Sequence, residues 1–176
     1  MKVMLVSAIA RESSSCYILA RQIEEMADAH GDVEVVFVTP RSAGLPLNDG
    51  TVDWDMPEVK RWQSLIDEIH AHIWVSPEYH SAMTGAFKNL FDYLAKEPMR
   101  GDAVGLVALA GGRMAALNTL NGMSVLARSL GAWVAPDYCA VNSNDVKEGL
   151  DDEGIGRVSD MVGSVLDMTR RLYPGD

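Results

Sequence analysis

Residues 71–94 read Ala-His-Ile-Trp-Val-Ser-Pro-Glu-Tyr-His-Ser-Ala-Met-Thr-Gly-Ala-Phe-Lys-Asn-Leu-Phe-Asp-Tyr-Leu, and this stretch decides the fold. Ala71, Ile73, Trp74 and Val75 form a short buried strand, and Pro77 removes a ladder donor so that the strand ends there. Thr84 is placed to cap a helix, Gly85 permits close backbone approach, and Phe87, Leu90, Phe91 and Leu94 share one helical face. The unit is strand, polar loop, amphipathic helix. In an open α/β sheet such a loop lies at the carboxyl ends of the strands, where ligands bind, and this one presents Glu78, Tyr79, His80 and Ser81.

The same alternation repeats on both sides. Val3–Val6 is an apolar run fit for a parallel strand buried on both faces. A loop ending at Ser13, Ser14 and Ser15 leads into a helix with Ile18, Leu19, Ile23, Met26 and Ala27 on its apolar side, stopped by Gly31. Any of the three serines can cap it. A helix N-terminus with three hydroxyls and Arg11 suits an anion, most naturally a phosphate, although capping beside a solvated arginine explains the same residues. Val33–Val38 is a second strand closed by Pro40, and residues 41–56 carry no period and read as a long loop. A helix through Val59, Trp62, Leu65, Ile66 and Ile69 enters the third strand. His70 and His72 are expected on different sides, which argues against a metal pair.

After the central stretch, Val104–Leu109 is a fourth strand ending in Gly111-Gly112, glycines that serve either a flat ligand or a tight turn. A helix over 114–130 and a fifth strand over 133–141, interrupted by Pro136, follow. An acidic loop from Asn142 to Asp152 leads to a last helix through Val158, Met161, Val162, Val165, Met168 and Leu172. Five strands alternating with five helices predict a single domain, 1–176, with a doubly wound parallel sheet of order 2-1-3-4-5. That order gathers the loops after the first, third and fourth strands around one crevice.

Composition narrows the function. The 176 residues are 48% hydrophobic, enough for one core, and the formal charge of −10 repels phosphate backbones and anionic membranes. Nucleic acid and membrane are therefore not expected partners. Two cysteines without paired spacing suggest neither a disulfide framework nor a metal site, and a reducing, cytoplasmic setting fits them. The first ten residues read as a strand rather than a signal peptide, and no run approaches a membrane span.

Pro77-Glu78-Tyr79-His80, then Gly85, then Lys88-Asn89, resembles the motif of the NAD(P)H-dependent FMN reductase family, which has a flavodoxin-like fold and includes quinone, azo-dye and chromate reductases. The likeness covers nearly the whole chain. Ser7, Arg11 and Ser14 match the family's first loop more loosely, and Gly111-Gly112 matches its third; Ile9, Cys16 and Ala82 depart from it. The resemblance implies that Ser7, Arg11, Ser13, Ser14 and Ser15 hold the FMN phosphate. It likewise implies that Pro77, Glu78, Tyr79, His80, Ser81, Gly111 and Gly112 frame the ring. Hydride from NADPH or NADH would reach a small-molecule electron acceptor through the flavin, with no protein nucleophile and no metal. The three departures leave a flavin carrier or a degenerate binding protein as the alternative. The family implies a homodimer or homotetramer. Phe87, Phe91, Tyr93, Met114, Leu117, Met123 and Leu126 are more large apolar groups than one core-facing stripe needs, so a second apolar face is expected.

Overall fold

The computed structural model describes residues 1–95, 97–112 and 116–175. In chain order the elements are β1 (Lys2–Ser7), α1 (Ser15–Asp28), β2 (Glu34–Val38), α2 (Pro40–Ala43), α3 (Pro57–Asp67), β3 (Ala71–Pro77) and α4 (Gly85–Phe91). Then come β4 (Ala103–Ala110), α5 (Leu117–Ser129), β5 (Trp133–Val134), β6 (Cys139–Asn142), α6 (Ser143–Glu148) and α7 (Asp152–Leu172). The strands form one parallel sheet in the order β2-β1-β3-β4-β5, with β6 also paired to β4. This is the expected flavodoxin-like order, with its reversal between β1 and β3.

The fifth position is a broken strand. β5 pairs Trp133 with Ala103 and Val134 with Val104, and β6 resumes from Cys139 opposite Val107. Pro136 lies in the gap, where it has no N–H to give the ladder. The register places Asn142 beside Ala110, so the end of β6 reaches the same edge of the sheet as the ends of β1, β3 and β4.

The predicted caps hold. Thr84 accepts from Phe87 N at 3.1 Å, and Ser14, of the three serines, accepts from Tyr17 N at 3.1 Å. Other boundaries shift. The helix expected to run to residue 96 ends at Phe91, and the chain reaches β4 through turns that include Glu97 with φ 54°, ahead of Pro98. Lys96 and Met114 lie outside the described residues. Pro40 opens α2 instead of closing the strand alone, because Thr39 and Ser42 cap each other reciprocally. Four residues are too few to show a helical period. The acidic loop likewise contains α6, capped by Asn142.

Val3–Val6 and Ala103–Leu109 are fully buried, with α1 packed against β1 and α5 and α7 against β4. Gly105 of β4 has a specific role: a Cβ there would come within 2.4 Å of Met161 Sδ and 2.6 Å of Val165 Cγ2, so its absence lets α7 lie against the sheet. On α4, Phe87 and Phe91 close over Trp74, with ring centroids 5.6 and 4.4 Å away. Phe87, Phe91, Tyr93, Met123 and Leu126 are thus buried in this chain's own core rather than forming a spare face. Of the group singled out in the sequence, Leu117 remains exposed, and Val125 on the same helix is exposed beside it.

His70 and His72 also depart from expectation. Both meet Asp102: His70 Nδ1 lies 2.9 Å from Oδ1 and His72 Nε2 lies 3.2 Å from Oδ2. Residues two apart in extended chain share a side, which is why the imidazoles converge. The cluster sits at the amino ends of the strands, away from the crevice.

Candidate functional site

A cleft of about 210 Å³ opens at the carboxyl ends of the strands, lined by Ile9, Arg11, Ser13–Cys16, Pro77–Tyr79, Leu109–Gly111, Ser143 and Lys147. The volume is below the roughly 300–1,000 Å³ of a typical ligand pocket, so the cleft can enclose part of a flavin-sized ligand and leave the remainder open. Three loops far apart in sequence converge here, as the sheet order requires.

The first loop divides its serines between tasks. Ser7 is fully buried and donates to Ile9 O at 2.9 Å, so it shapes the loop from within. Ser15 spends its proton on Ser143 O at 2.7 Å, tying α1 to the start of α6. Ser14 accepts from Tyr17 N and keeps its own proton to give. Ser13 and Arg11 are exposed at the mouth. The first turn of α1 contains no acidic residue, and the N–H groups of Ser15 and Cys16 have no intrahelical acceptor. Cys16 is buried with Sγ 3.4 Å from Val75 O, and burial pushes its thiol up to about 11 against a smaller downward pull from Ser7. It is an inert wall, where a thiolate nucleophile would need the opposite shift.

The second loop is held to the third. Glu78 N donates to Leu109 O at 2.7 Å, and the Glu78 carboxylate accepts from Thr119 N at 3.0 Å. Thr119 lies in the first turn of α5, whose N-cap, Ala116 at φ 80°, has no side chain able to cap. Glu78 supplies that cap from across the cleft. Beyond it, Tyr79 and Ala82 exchange backbone hydrogen bonds of 2.9 and 3.2 Å around His80 and Ser81. These two residues have φ of 50° and 64°, the positive pair of a type I′ turn that usually takes Asn-Gly. His80 and Ser81 stand outside the cleft lining on this exposed turn, and Tyr79 is half exposed at its rim. Gly111 lines the cleft; Gly112 is exposed beside it.

Sequence reasoning missed two features. Lys147 and Ser143 form a fourth wall, hidden because Pro136 splits the strand that delivers them. Asn89, singled out as part of the motif, is an anchor: its Oδ1 accepts from Asn48 N at 2.8 Å and its Nδ2 donates to Pro46 O at 2.8 Å. Tyr93 Oη adds a bond to Pro46 O at 3.1 Å. The 44–56 loop is thereby fastened over α4.

The donor set fits a phosphate-bearing flavin. Arg11, Ser13, Ser14, Lys147 and the free N–H groups of α1 suit a phosphate, while Pro77–Tyr79 and Leu109–Gly111 offer backbone and an aromatic ring to a flat ligand.

The NADPH-dependent FMN reductase family profile matches residues 1–146. The NADPH-dependent FMN reductase ArsH of Acidithiobacillus ferrooxidans is 29% identical, over 97% of this chain and 71% of its own length. An NADPH azoreductase of a Bacillus species is 27% identical, over 92% of this chain and 89% of its own. Among solved structures, an oxidoreductase from Corynebacterium diphtheriae superposes with a TM-score of 0.80 at 19% identity, covering 97% of each chain. A Streptococcus pneumoniae flavodoxin gives 0.67 at 15% identity, covering 95% of this chain and 99% of its own, a likeness of fold. On the family profile, which spans residues 1–146, the protein belongs to the NADPH-dependent FMN reductase family and is an FMN-dependent oxidoreductase.

Proposed function

We propose that the protein takes electrons from NADPH or NADH and delivers them, by way of FMN seated in the cleft, to a small-molecule acceptor of the quinone, flavin or azo-dye type. Bound FMN supplies the electron-transfer chemistry that no side chain here offers. The chain's own residues bind and orient. Arg11, Ser13, Ser14 and the first turn of α1 hold the phosphate. Backbone N–H groups of the loop after β4, at Gly111, face the ring's carbonyl edge, where preorganised donors favour added electron density, and the loop after β3, its own N–H groups of Glu78 and Tyr79 already bonded, walls the ring. Tyr79, at the rim, borders the side from which nicotinamide and acceptor approach in turn.

The single observation that carries this reading is the cleft itself: three loops separated in sequence meet around a helix N-terminus, with Arg11 in the same lining and without an ion pair among the described residues. The names of the relatives, FMN reductase and azoreductase, support the acceptor class. Among the described residues no helix is long and apolar enough to cross a membrane, and both cysteines are free and buried, which supports a cytoplasmic setting. Two copies pair along α5, where Leu117 is 45% and Val125 59% exposed.

Purification tests the function. A yellow protein whose flavin bleaches under NADPH and recovers with a quinone or azo dye supports it, and a protein that takes up no FMN and oxidises no NADPH with any acceptor sinks it. Light scattering over a dilution series, run with turnover, tests the pairing: a fully active monomer at micromolar concentration refutes it.

A further inference from the structure

We infer that Lys147, on α6, is a second cationic ligand of the FMN phosphate, so that the phosphate is gripped from two sides and not by the first loop alone. The inference rests on the function proposed above, and its support is the charge layout of α6. Ser143 and Lys147 are four residues apart, hence on one side of the helix, and both line the cleft beside Arg11, Ser13 and Ser14. Asp145 and Glu148 of the same helix instead line a separate cavity of about 370 Å³, together with Asp151, Glu153 and Arg157. The helix therefore sorts its charges, turning its cation to the cleft and its carboxylates away.

Three further observations agree. In a chain of net charge −10, Arg11 and Lys147 stand at the same cleft, and neither has an ion pair or side-chain hydrogen bond among the described residues. Glu78, the carboxylate among the lining residues, is turned to Thr119 N and serves as a cap. Ser15 fixes α6 in place through its 2.7 Å bond to Ser143 O, across 128 residues of sequence, so the lysine is carried on an anchored element rather than a free loop. A lysine acts on phosphate as a mobile point charge, which suits a group at the exposed end of the site.

The test is equilibrium binding of FMN and of riboflavin, by quenching of flavin fluorescence, to the wild type, Lys147→Ala and Lys147→Arg at low and high salt. Lys147→Ala should weaken FMN binding about tenfold at low salt, less at high salt, and leave riboflavin binding unchanged; Lys147→Arg should recover most of the loss. Wild-type affinity for FMN in Lys147→Ala, or an equal loss for riboflavin, overturns the assignment while leaving the function standing. A wild type that binds neither flavin overturns the function, and this assignment with it.

Discussion

Replacing Glu78 separates its two readings, as a residue that touches flavin and as the cap of α5. Its carboxylate accepts from Thr119 N at 3.0 Å, at the first turn of a helix whose own N-cap residue, Ala116, offers nothing. Loss of an N-cap costs about 0.5–2 kcal/mol, and a carboxylate at a helix N-terminus adds roughly 0.3–1 kcal/mol through the macrodipole. Glu78→Ala should therefore lower unfolding free energy by about 2 kcal/mol. Glu78→Gln keeps an acceptor without the charge and should lose about half of that, by the same estimates. The backbone bond from Glu78 N to Leu109 O survives both changes, so the loop after β3 stays in place while α5 and the glycines before it lose their tether. FMN and riboflavin should consequently lose affinity together, unlike the phosphate-specific losses at Arg11 and Lys147. Urea unfolding at neutral pH and flavin titration measure both effects. If Glu78→Ala is within about 0.5 kcal/mol of the wild type and binds both flavins as well, the capping role is wrong.

Arg11→Ala should weaken FMN binding by roughly ten- to one-hundred-and-fifty-fold, the worth of one charge-assisted bond, with riboflavin unaffected; titration of both ligands checks it, and matched losses would remove Arg11 from the phosphate. Burial alone would raise the pKa of Asp102, but hydrogen bonds from His72, His70 and Tyr173 outweigh it and hold the carboxyl below its ordinary value. A depressed carboxyl contributes stability above its unfolded pKa and loses it as pH falls through the folded value. Asp102→Asn should therefore lower stability at pH 7 and flatten the acid limb of the stability profile below the normal aspartate range; an unchanged acid limb would contradict the network. Ser81→Gly should raise stability by about 0.5–1 kcal/mol, seen as a Tm increase of roughly 2 °C, because φ of 64° strains a residue with a Cβ; a lower Tm would refute the strain.

Readable from the sequence were the first four strands, the apolar faces of α1, α3 and α7 and three of the four walls of the cleft. Each rests on information local to a few residues: the apolar run of Val3–Val6, the cap at Thr84 three residues before Phe87, the proline that ends β3. Such signals act through backbone sterics and neighbouring hydrogen bonds, which a linear reading can follow. It also placed Ser14 among the caps and Arg11 at the cleft.

Tertiary structure alone decided how those residues are spent. Ser15 faces Ser143, Glu78 faces Thr119, and Asn89 faces Asn48 and Pro46, pairs separated by 128, 41, 41 and 43 residues. Their meeting is fixed by crossover connections and by which helix covers which face of the sheet. No local period records that choice. The same holds for Phe87 and Phe91, which look surplus on an isolated helix and are buried once Trp74 lies beneath them. Lys147 was illegible for a further reason: Pro136 breaks the strand that carries it, and only the pairing of Asn142 with Ala110 brings α6 back to the ligand end of the sheet.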